Sequence, residues 1–348
     1  MADKRDVIIG GTSAIEFWRR AWLEGNGSAV GLLGHAFPDD LLEDLAANPS
    51  LLEDYAQLRP GSGARVGFSP RALASLLGLS QPVELAVCHA SARRRPDGLD
   101  VRMWPQGLVE GLVVHLEDNL YVCVPELAFA QLAGRLSRAE LVELAFELCG
   151  DYVRLDGALF EGRHLGGEHA LSSPCRLRAA CELFGGFRGA QNARTEAEVA
   201  LANSWSPRES QLAALMTLSR PLGGYGCPAP VLNERVYLEP ELARIADRGY
   251  VVPDILYRDG GFCLEYQGSQ HGGSMARGRD DAKGNVLLMM GIETVRVWDE
   301  QLYDIPTMDG IAAYAYKKLG IWRRPASVKM LARQSDLVSA FRMLGRRR

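Results

Sequence analysis

A strand–turn–strand pattern in the second half of the chain constrains the fold more than any other feature. The runs GYVVPDILY and GFCLEYQG are rich in β-branched and aromatic residues, and the Asp-Gly step at 259–260 between them is typical of a two-residue hairpin turn. With that turn Asp254 lies directly opposite Glu265, whereas a turn at 260–261 places it opposite Gln267. A shift of two residues keeps a side chain on the same face. Both registers therefore predict a hairpin with Asp254, Glu265 and Gln267 on one face.

The facing acids indicate a metal site. Two carboxylates directly across a hairpin repel each other, and a divalent cation between them removes that repulsion. Mg²⁺ takes oxygen ligands and commonly uses one or two carboxylates together with a substrate phosphate. We therefore expect Asp254 and Glu265 to hold Mg²⁺ or Mn²⁺.

The sequence leaves two roles open for Glu209. In the segment SPRES, Ser206 is an expected N-cap, Pro207 the first helical residue and Glu209 the third, which is the spacing of a capping box. In the alternative role, Glu209 points from its helix towards the sheet and helps to hold the metal or its water.

These residues and their spacing resemble the PD-(D/E)xK nuclease superfamily, and within it the very-short-patch-repair-like endonuclease domains of bacterial proteins. Members carry an acid-bearing helix, a strand with Pro-Asp, a strand of the form Glu-x-Asp-Gly or Glu-x-Gln-Gly, a downstream His, and a helix with an acid and a basic residue. The resemblance covers residues 200–305. The matching residues are Glu209, Pro253, Asp254, Glu265, Gln267, Gly268, His271, Asp280, Lys283, Leu287 and Gly291, followed by the strand VRVW at 295–298.

The resemblance implies an α/β fold of the restriction-endonuclease-like kind, with a mixed β-sheet flanked by helices. It also implies metal-dependent endonuclease activity, with Mg²⁺ or Mn²⁺ as cofactor, nucleic acid as partner and DNA as the expected substrate, in a defence or toxin–antitoxin setting. The catalytic residues it implies are Asp254, Glu265, Gln267, His271, Lys283 and Glu209, of which Asp254, Glu265 and Glu209 are the metal ligands.

One departure from the superfamily pattern concerns its lysine, which would fall on Gln267. An amide can bind metal or water, but it brings no positive charge to a phosphate oxyanion. Lys283, on the following helix, supplies that charge in one interpretation and is a solvated surface lysine in the other. Without such a cation, the chain would be a non-catalytic transcriptional regulator or antitoxin that keeps the nuclease fold as a nucleic-acid clamp.

Basic residues cluster at the C-terminus, although the formal net charge of the chain is -4. From Lys317 onwards there are ten Lys and Arg residues and a single acid, Asp336. Such a run attracts polyanions, although a solvated basic helix is the alternative. The residues expected to contact nucleic acid are Arg277, Arg279, Arg323 and Arg324.

The first half of the chain predicts an α+β domain over residues 1–160, followed by a Gly-rich connector (161–199) and the nuclease domain with its basic tail (200–348). Strand-like runs follow Pro82, and two helical patterns follow the strands. The segment LYVCVPELAFAQLAGRLSRAELVELAFELCG is similar to the core of abortive-infection type antitoxin regulators. That similarity implies a regulatory or partner-binding domain, and a protein is the partner expected for it.

No membrane partner is expected. The N-terminal segment MADKRDVIIGGTSAIEFWRR lacks the apolar core of a secretory signal, and no apolar run reaches the length of a membrane span. We therefore expect a cytoplasmic protein.

Overall fold

A computed structural model describes residues 5–24, 41–50, 55–60, 69–92, 96–154, 164–166, 170–268, 274–322 and 325–346, with only the backbone described for residues 274–281 and 346. The chain divides into two compact units, of which unit 1 comprises residues 1–149 and 153–200 and unit 2 comprises residues 150–152 and 201–348. The division near residue 200 is where the sequence analysis places the start of the nuclease domain.

The first 200 residues form a mixed α/β structure. Its elements are β1 (Val7–Ile9), α1 (Gly11–Glu24), α2 (Leu41–Ala47), α3 (Pro70–Leu77), β2 (Val83–Val87), β3 (Leu99–Met103), β4 (Val113–Glu117), β5 (Leu120–Cys123), α4 (Pro125–Leu132), α5 (Arg138–Cys149), β6 (Tyr152–Arg154), β7 (His164–Gly166), α6 (Pro174–Leu183) and α7 (Ala190–Val199). The main sheet has the strand order β3-β2-β1-β5-β4, in which β1 with β5 and β2 with β3 are the parallel pairs. The helices α4 and α5 correspond to the predicted helical pair.

The prediction of a separate connector over residues 161–199 is wrong. It contains α6 and α7, and the described part of it belongs to unit 1. The sequence of α7 is polar, so hydrophobic periodicity does not identify it as a buried helix. Glu196 is nevertheless fully buried, and its carboxylate accepts a hydrogen bond from Arg138 Nε at 2.8 Å. Its buried apolar residues are the small Ala193 and Ala197, so the helix lacks the large apolar side chains by which a core helix is usually recognised.

Unit 2 contains a four-stranded sheet with helices around it. Its elements are α8 (Pro207–Thr217), β8 (Val231–Leu232), β9 (Val236–Tyr237), α9 (Pro240–Ala246), β10 (Tyr250–Val251), β11 (Ile255–Tyr257), β12 (Phe262–Gln267), α10 (Ser274–Met289), β13 (Glu293–Trp298), α11 (Asp299–Leu302), α12 (Ile305–Lys318) and α13 (Val328–Arg346). The sheet order is β13-β12-β11-β8. Strands β8, β11 and β12 are antiparallel, and β13 returns parallel to β12 after the crossover helix α10.

The hairpin of β11 and β12 has one of the two predicted registers, closed by a different turn. Ile255 pairs with Leu264 and Tyr257 with Phe262, which is the register that places Asp254 opposite Glu265. The prediction of a two-residue turn at 259–260 is wrong. Residues 258–260 form a short 3-10 helix that ends at Gly261, which has φ +60°. Glycine adopts this left-handed conformation at little cost, so the longer turn closes without a change of register.

Helix α10 covers the face of the sheet that carries the acids. Its buried residues Val286 and Leu287 pack in one apolar cluster with Leu256 and Cys263, which share a face with Asp254 and Glu265 because side chains alternate along a strand. A residue three or four positions before this apolar pair lies on the same side of the helix. Packing of α10 thus brings Lys283 over the acids.

Within the described part of the chain, no helix combines the length and apolarity that a bilayer crossing requires.

Candidate active site

Asp254 and Glu265 are joined by two hydrogen bonds across the hairpin. The backbone N–H of Asp254 donates to Glu265 Oε1 at 3.2 Å, and the backbone N–H of Tyr266 donates to Asp254 Oδ2 at 2.8 Å. Both carboxylates are therefore oriented by backbone groups of the strands. Glu265 is 6% exposed, so the two acids lie at the edge of the core.

Lys283 contacts both acids. Its Nζ atom lies 2.5 Å from Glu265 Oε2 and 3.5 Å from Asp254 Oδ1, and its side chain is 22% exposed. The interpretation of Lys283 as a solvated surface lysine is therefore wrong. The ammonium group reaches the acids from the helix, beside the strand position that Gln267 occupies.

The pKa values in this cluster reflect burial and mutual charge. Burial, together with the charge of Asp254, raises the pKa of Glu265 to about 7 despite the opposing effect of Lys283. Burial also raises the pKa of Asp254. For Lys283, burial lowers the pKa, but the charges of Asp254 and Glu265 outweigh it and the net shift is upward. Near neutral pH the site thus holds a protonated lysine beside a Glu265 carboxyl that titrates close to neutrality.

Ser206 caps α8 as expected, but the carboxylate of Glu209 contacts the Ser206 hydroxyl and the Trp205 N–H instead of the Ser206 N–H of a capping box. Ser206 Oγ accepts a hydrogen bond from the backbone N–H of Glu209 at 3.2 Å and donates to Glu209 Oε1 at 3.0 Å. The other carboxylate oxygen accepts from the backbone N–H of Trp205 at 3.0 Å and from Asn233 Nδ2 at 2.9 Å. Burial and the charge of Asp254 raise the pKa of Glu209 to about 7, so it lies within electrostatic reach of the pair. Its predicted role as a metal ligand stays a prediction.

Asp254 and Lys283 line a cleft of about 290 Å³ whose walls include two arginines that the sequence analysis missed. Arg235 and Arg248 both line it, together with Trp205, Tyr250, Asp254 and Lys283. Both guanidinium groups are exposed, and neither forms an ion pair with a described residue. Arg235 lies 5.1 Å from the ring centre of Tyr250. Arg235 and Arg248 lie just before β9 and β10, which pair with each other in a separate ribbon. The sequence signal that could have identified these arginines is the short distance along the chain between β10 and Asp254.

The remaining predicted residues are placed less completely. Gln267 is half-buried and lines a small pocket with Glu265, Lys283 and Arg296. His271, Arg323 and Arg324 lie outside the described residues. Arg277 and Arg279 lie on α10, where only the backbone is described.

No cluster of three or more His, Cys, Asp and Glu side chains with metal-binding geometry occurs among the residues whose side chains are described. The described residues therefore offer two carboxylates, Asp254 and Glu265, as metal ligands at this site, with the Lys283 ammonium beside them. Comparisons with family models, with curated proteins and with solved structures found no match to this chain. The chemistry of the site must therefore be argued from its own residues.

Proposed function

We propose that unit 2 is a metal-dependent endonuclease of the PD-(D/E)xK type that hydrolyses phosphodiester bonds, with DNA as the expected substrate. The observation that carries the proposal is the contact of Lys283 with Asp254 and Glu265. Two facing acids and one cation are the groups that the resemblance implies for catalysis, and the cation comes from α10 instead of β12.

The arrangement of the elements supports a restriction-endonuclease-like fold. An acid-bearing helix (α8) precedes three antiparallel strands (β8, β11 and β12), and a helix (α10) leads to a parallel fourth strand. The hairpin ribbon β9–β10 and helix α9 are inserted between β8 and β11. That order is the one the sequence resemblance implies, with the insertion as an addition that forms part of the cleft.

Each residue has a role that follows from its contacts. Asp254 and Glu265 would hold Mg²⁺ or Mn²⁺, since both carboxylates are fixed by backbone N–H groups and keep further lone pairs. When bound, the ion would polarise the phosphate and lower the pKa of the attacking water. The Lys283 ammonium would stabilise the negative charge that develops on the phosphate. Arg235 and Arg248 would attract the nucleic-acid backbone to the cleft.

The second candidate function is a non-catalytic nucleic-acid clamp, which the absence of a lysine at position 267 suggested. The clamp has no need of a cation in contact with both acids, so the position of Lys283 favours the nuclease. For unit 1 we keep the proposal of a regulatory domain that binds a protein partner, on the similarity to antitoxin regulators alone.

A cleavage assay tests the proposal. The full chain is incubated with supercoiled DNA, linear DNA and RNA, each in Mg²⁺, Mn²⁺ or EDTA, beside Asp254→Ala and Glu265→Ala. We expect cleavage in the presence of metal that is lost in EDTA and in both variants. Asp259→Ala is the matched control, because Asp259 is an exposed acid in the turn of the same hairpin.

Two results would contradict the nuclease. Binding of nucleic acid that is equally tight with metal and with EDTA, without cleavage of any substrate, would support the clamp. Cleavage that persists in both acid variants would show that the activity resides elsewhere.

A further inference from the structure

Unit 1 contains a cavity of about 360 Å³ that is separate from the proposed nuclease site. Its walls come from strands β2 and β3, from the end of α4 and from the loop between α6 and α7. Cavities that bind small molecules typically measure about 300–1,000 Å³. The cavity is therefore large enough for one small ligand.

The charged side chains of the cavity are mostly paired, and one is not. Glu84 lines it, but its carboxylate accepts hydrogen bonds from Arg135, from the backbone N–H of Thr12 at 3.2 Å and from Thr12 Oγ1 at 2.9 Å. Arg102 forms an ion pair with Asp100 at 2.6 Å. Arg188 also lines the cavity, is exposed, and forms no ion pair with a described residue. The guanidinium groups outnumber the carboxylates in the wall, so the cavity favours an anion.

A second, independent observation concerns Trp104. It lines the cavity and is 5% exposed, and its indole N–H has no hydrogen-bond partner among the described residues. Buried polar groups in folded proteins are nearly always paired. The donor lies on a residue of the cavity wall, so a ligand acceptor that reaches the buried edge of Trp104 would pair it.

The wall that holds these groups is closely packed. A Cβ atom at Gly134 would lie 2.5 Å from the backbone oxygen of Arg188, and Gly189 has φ +94°. Both features hold the loop with Phe187 and Arg188 tightly against the end of α4. The ring centres of Trp104 and Phe187 are 5.3 Å apart, so aromatic groups and the free guanidinium lie on adjoining parts of one preformed wall.

We propose that this cavity binds a nucleoside phosphate. The phosphate would be held by Arg188 together with Arg135, because guanidinium groups bind phosphate through paired hydrogen bonds. The Trp104 N–H would donate to an acceptor on the base, and the Phe187 ring would pack against it. The site would make unit 1 a sensor of a small nucleotide, a role that does not depend on whether unit 2 cleaves nucleic acid.

Isothermal titration calorimetry on the full chain in EDTA tests the proposal, because EDTA keeps the proposed metal site of unit 2 empty. The ligands are the nucleoside 5′-monophosphates, the corresponding nucleosides and inorganic phosphate. We expect saturable binding of at least one monophosphate, and weaker binding of its nucleoside and of phosphate alone. Arg188→Ala and Trp104→Phe should each weaken binding about tenfold or more. Arg71→Ala, at an exposed arginine of α3, is the matched control and should bind as the unaltered chain does.

Three outcomes would overturn the proposal. These are no saturable binding of any monophosphate up to millimolar concentration, binding that both cavity variants leave unchanged, and binding of inorganic phosphate as tight as that of the nucleotide. Circular dichroism of each variant shows whether it folds. Trp104→Phe removes the N–H together with part of the indole ring, so urea unfolding of this variant, beside its circular dichroism, shows how much packing it loses.

Discussion

Replacing Lys283 with Met tests whether its ammonium group neutralises the two acids. The Nζ atom lies 2.5 Å from Glu265 Oε2 and 3.5 Å from Asp254 Oδ1, and the side chain is 22% exposed. Removing one partner of a fully buried ion pair costs about 3–5 kcal/mol. Because this ammonium keeps some contact with water, we expect Lys283→Met to lower the free energy of unfolding by about 2–3 kcal/mol at pH 8.

The loss of stability in Lys283→Met should depend on pH. The pKa of Glu265 is already raised from 4.5 to about 7, and it should rise further without the lysine. A carboxyl group with a raised pKa in the folded state is neutral at low pH and destabilises the fold progressively as the pH rises from its unfolded pKa through its folded pKa. At pH 5 Glu265 is largely protonated, so its ion pair with Lys283 and its repulsion of Asp254 are largely absent, and the loss should be smaller than at pH 8.

Urea unfolding of the full chain at pH 5 and pH 8, followed by circular dichroism, measures the effect. Lys329→Met is the control, since Lys329 is an exposed lysine of α13. Addition of Mg²⁺ at pH 8 should recover part of the lost stability, because the ion would replace the missing positive charge. A loss of equal size at both pH values, or none at pH 8, would refute the assigned role of Lys283.

Three further predictions follow from the same cluster. Cleavage in Mg²⁺ should increase between pH 6 and pH 8, because metal binding requires an ionised Glu265 whose pKa is about 7; a rate that is flat over this range contradicts the prediction. Lys283→Gln should reduce the single-turnover cleavage rate by about 10²-fold or more, as expected for loss of a charge that stabilises the transition state. In the Lys283→Gln variant, the additional change Gln267→Lys should restore part of the rate, since Gln267 and Lys283 line the same small pocket. No recovery in the double variant would show that a lysine at position 267 does not replace Lys283. Glu209→Gln should keep the capping hydrogen bond from Ser206 and change the cleavage rate less than about tenfold. A loss of a hundredfold or more in a folded variant would instead make Glu209 a metal ligand.

The local part of the site is predictable from the sequence, and the tertiary part is not. The period of two along the hairpin places Asp254, Glu265 and Gln267 on one face in either register, and a turn centred at 259–260 gives the observed pairing of Asp254 with Glu265. The position of Lys283 depends on the packing of α10, although its spacing to the apolar pair Val286 and Leu287 indicates the side it shares with the sheet. Charge alone gives no such indication, because most lysines on helices are solvated.

The missed features depend on contacts between distant parts of the chain. Arg235 enters the cleft wall because β9 pairs with β10 across the inserted helix α9, and a two-residue strand leaves almost no periodic signal. Helix α7 was missed because its buried face consists of two alanines, Ala193 and Ala197, and of Glu196, which is paired with Arg138. In both cases a polar residue has a structural or binding role that hydrophobic periodicity does not reveal.

Titration with Mn²⁺, followed by the electron paramagnetic resonance signal of the free ion, tests the central claim most directly because it requires no knowledge of the substrate. We predict that the full chain binds Mn²⁺ at pH 8, that Asp254→Asn and Glu265→Gln lose this binding, and that Asp259→Asn keeps it. If the chain binds no Mn²⁺ at millimolar concentration, or if Asp254→Asn binds it as tightly as the unaltered chain, the paired acids are not a metal centre and the nuclease proposal fails.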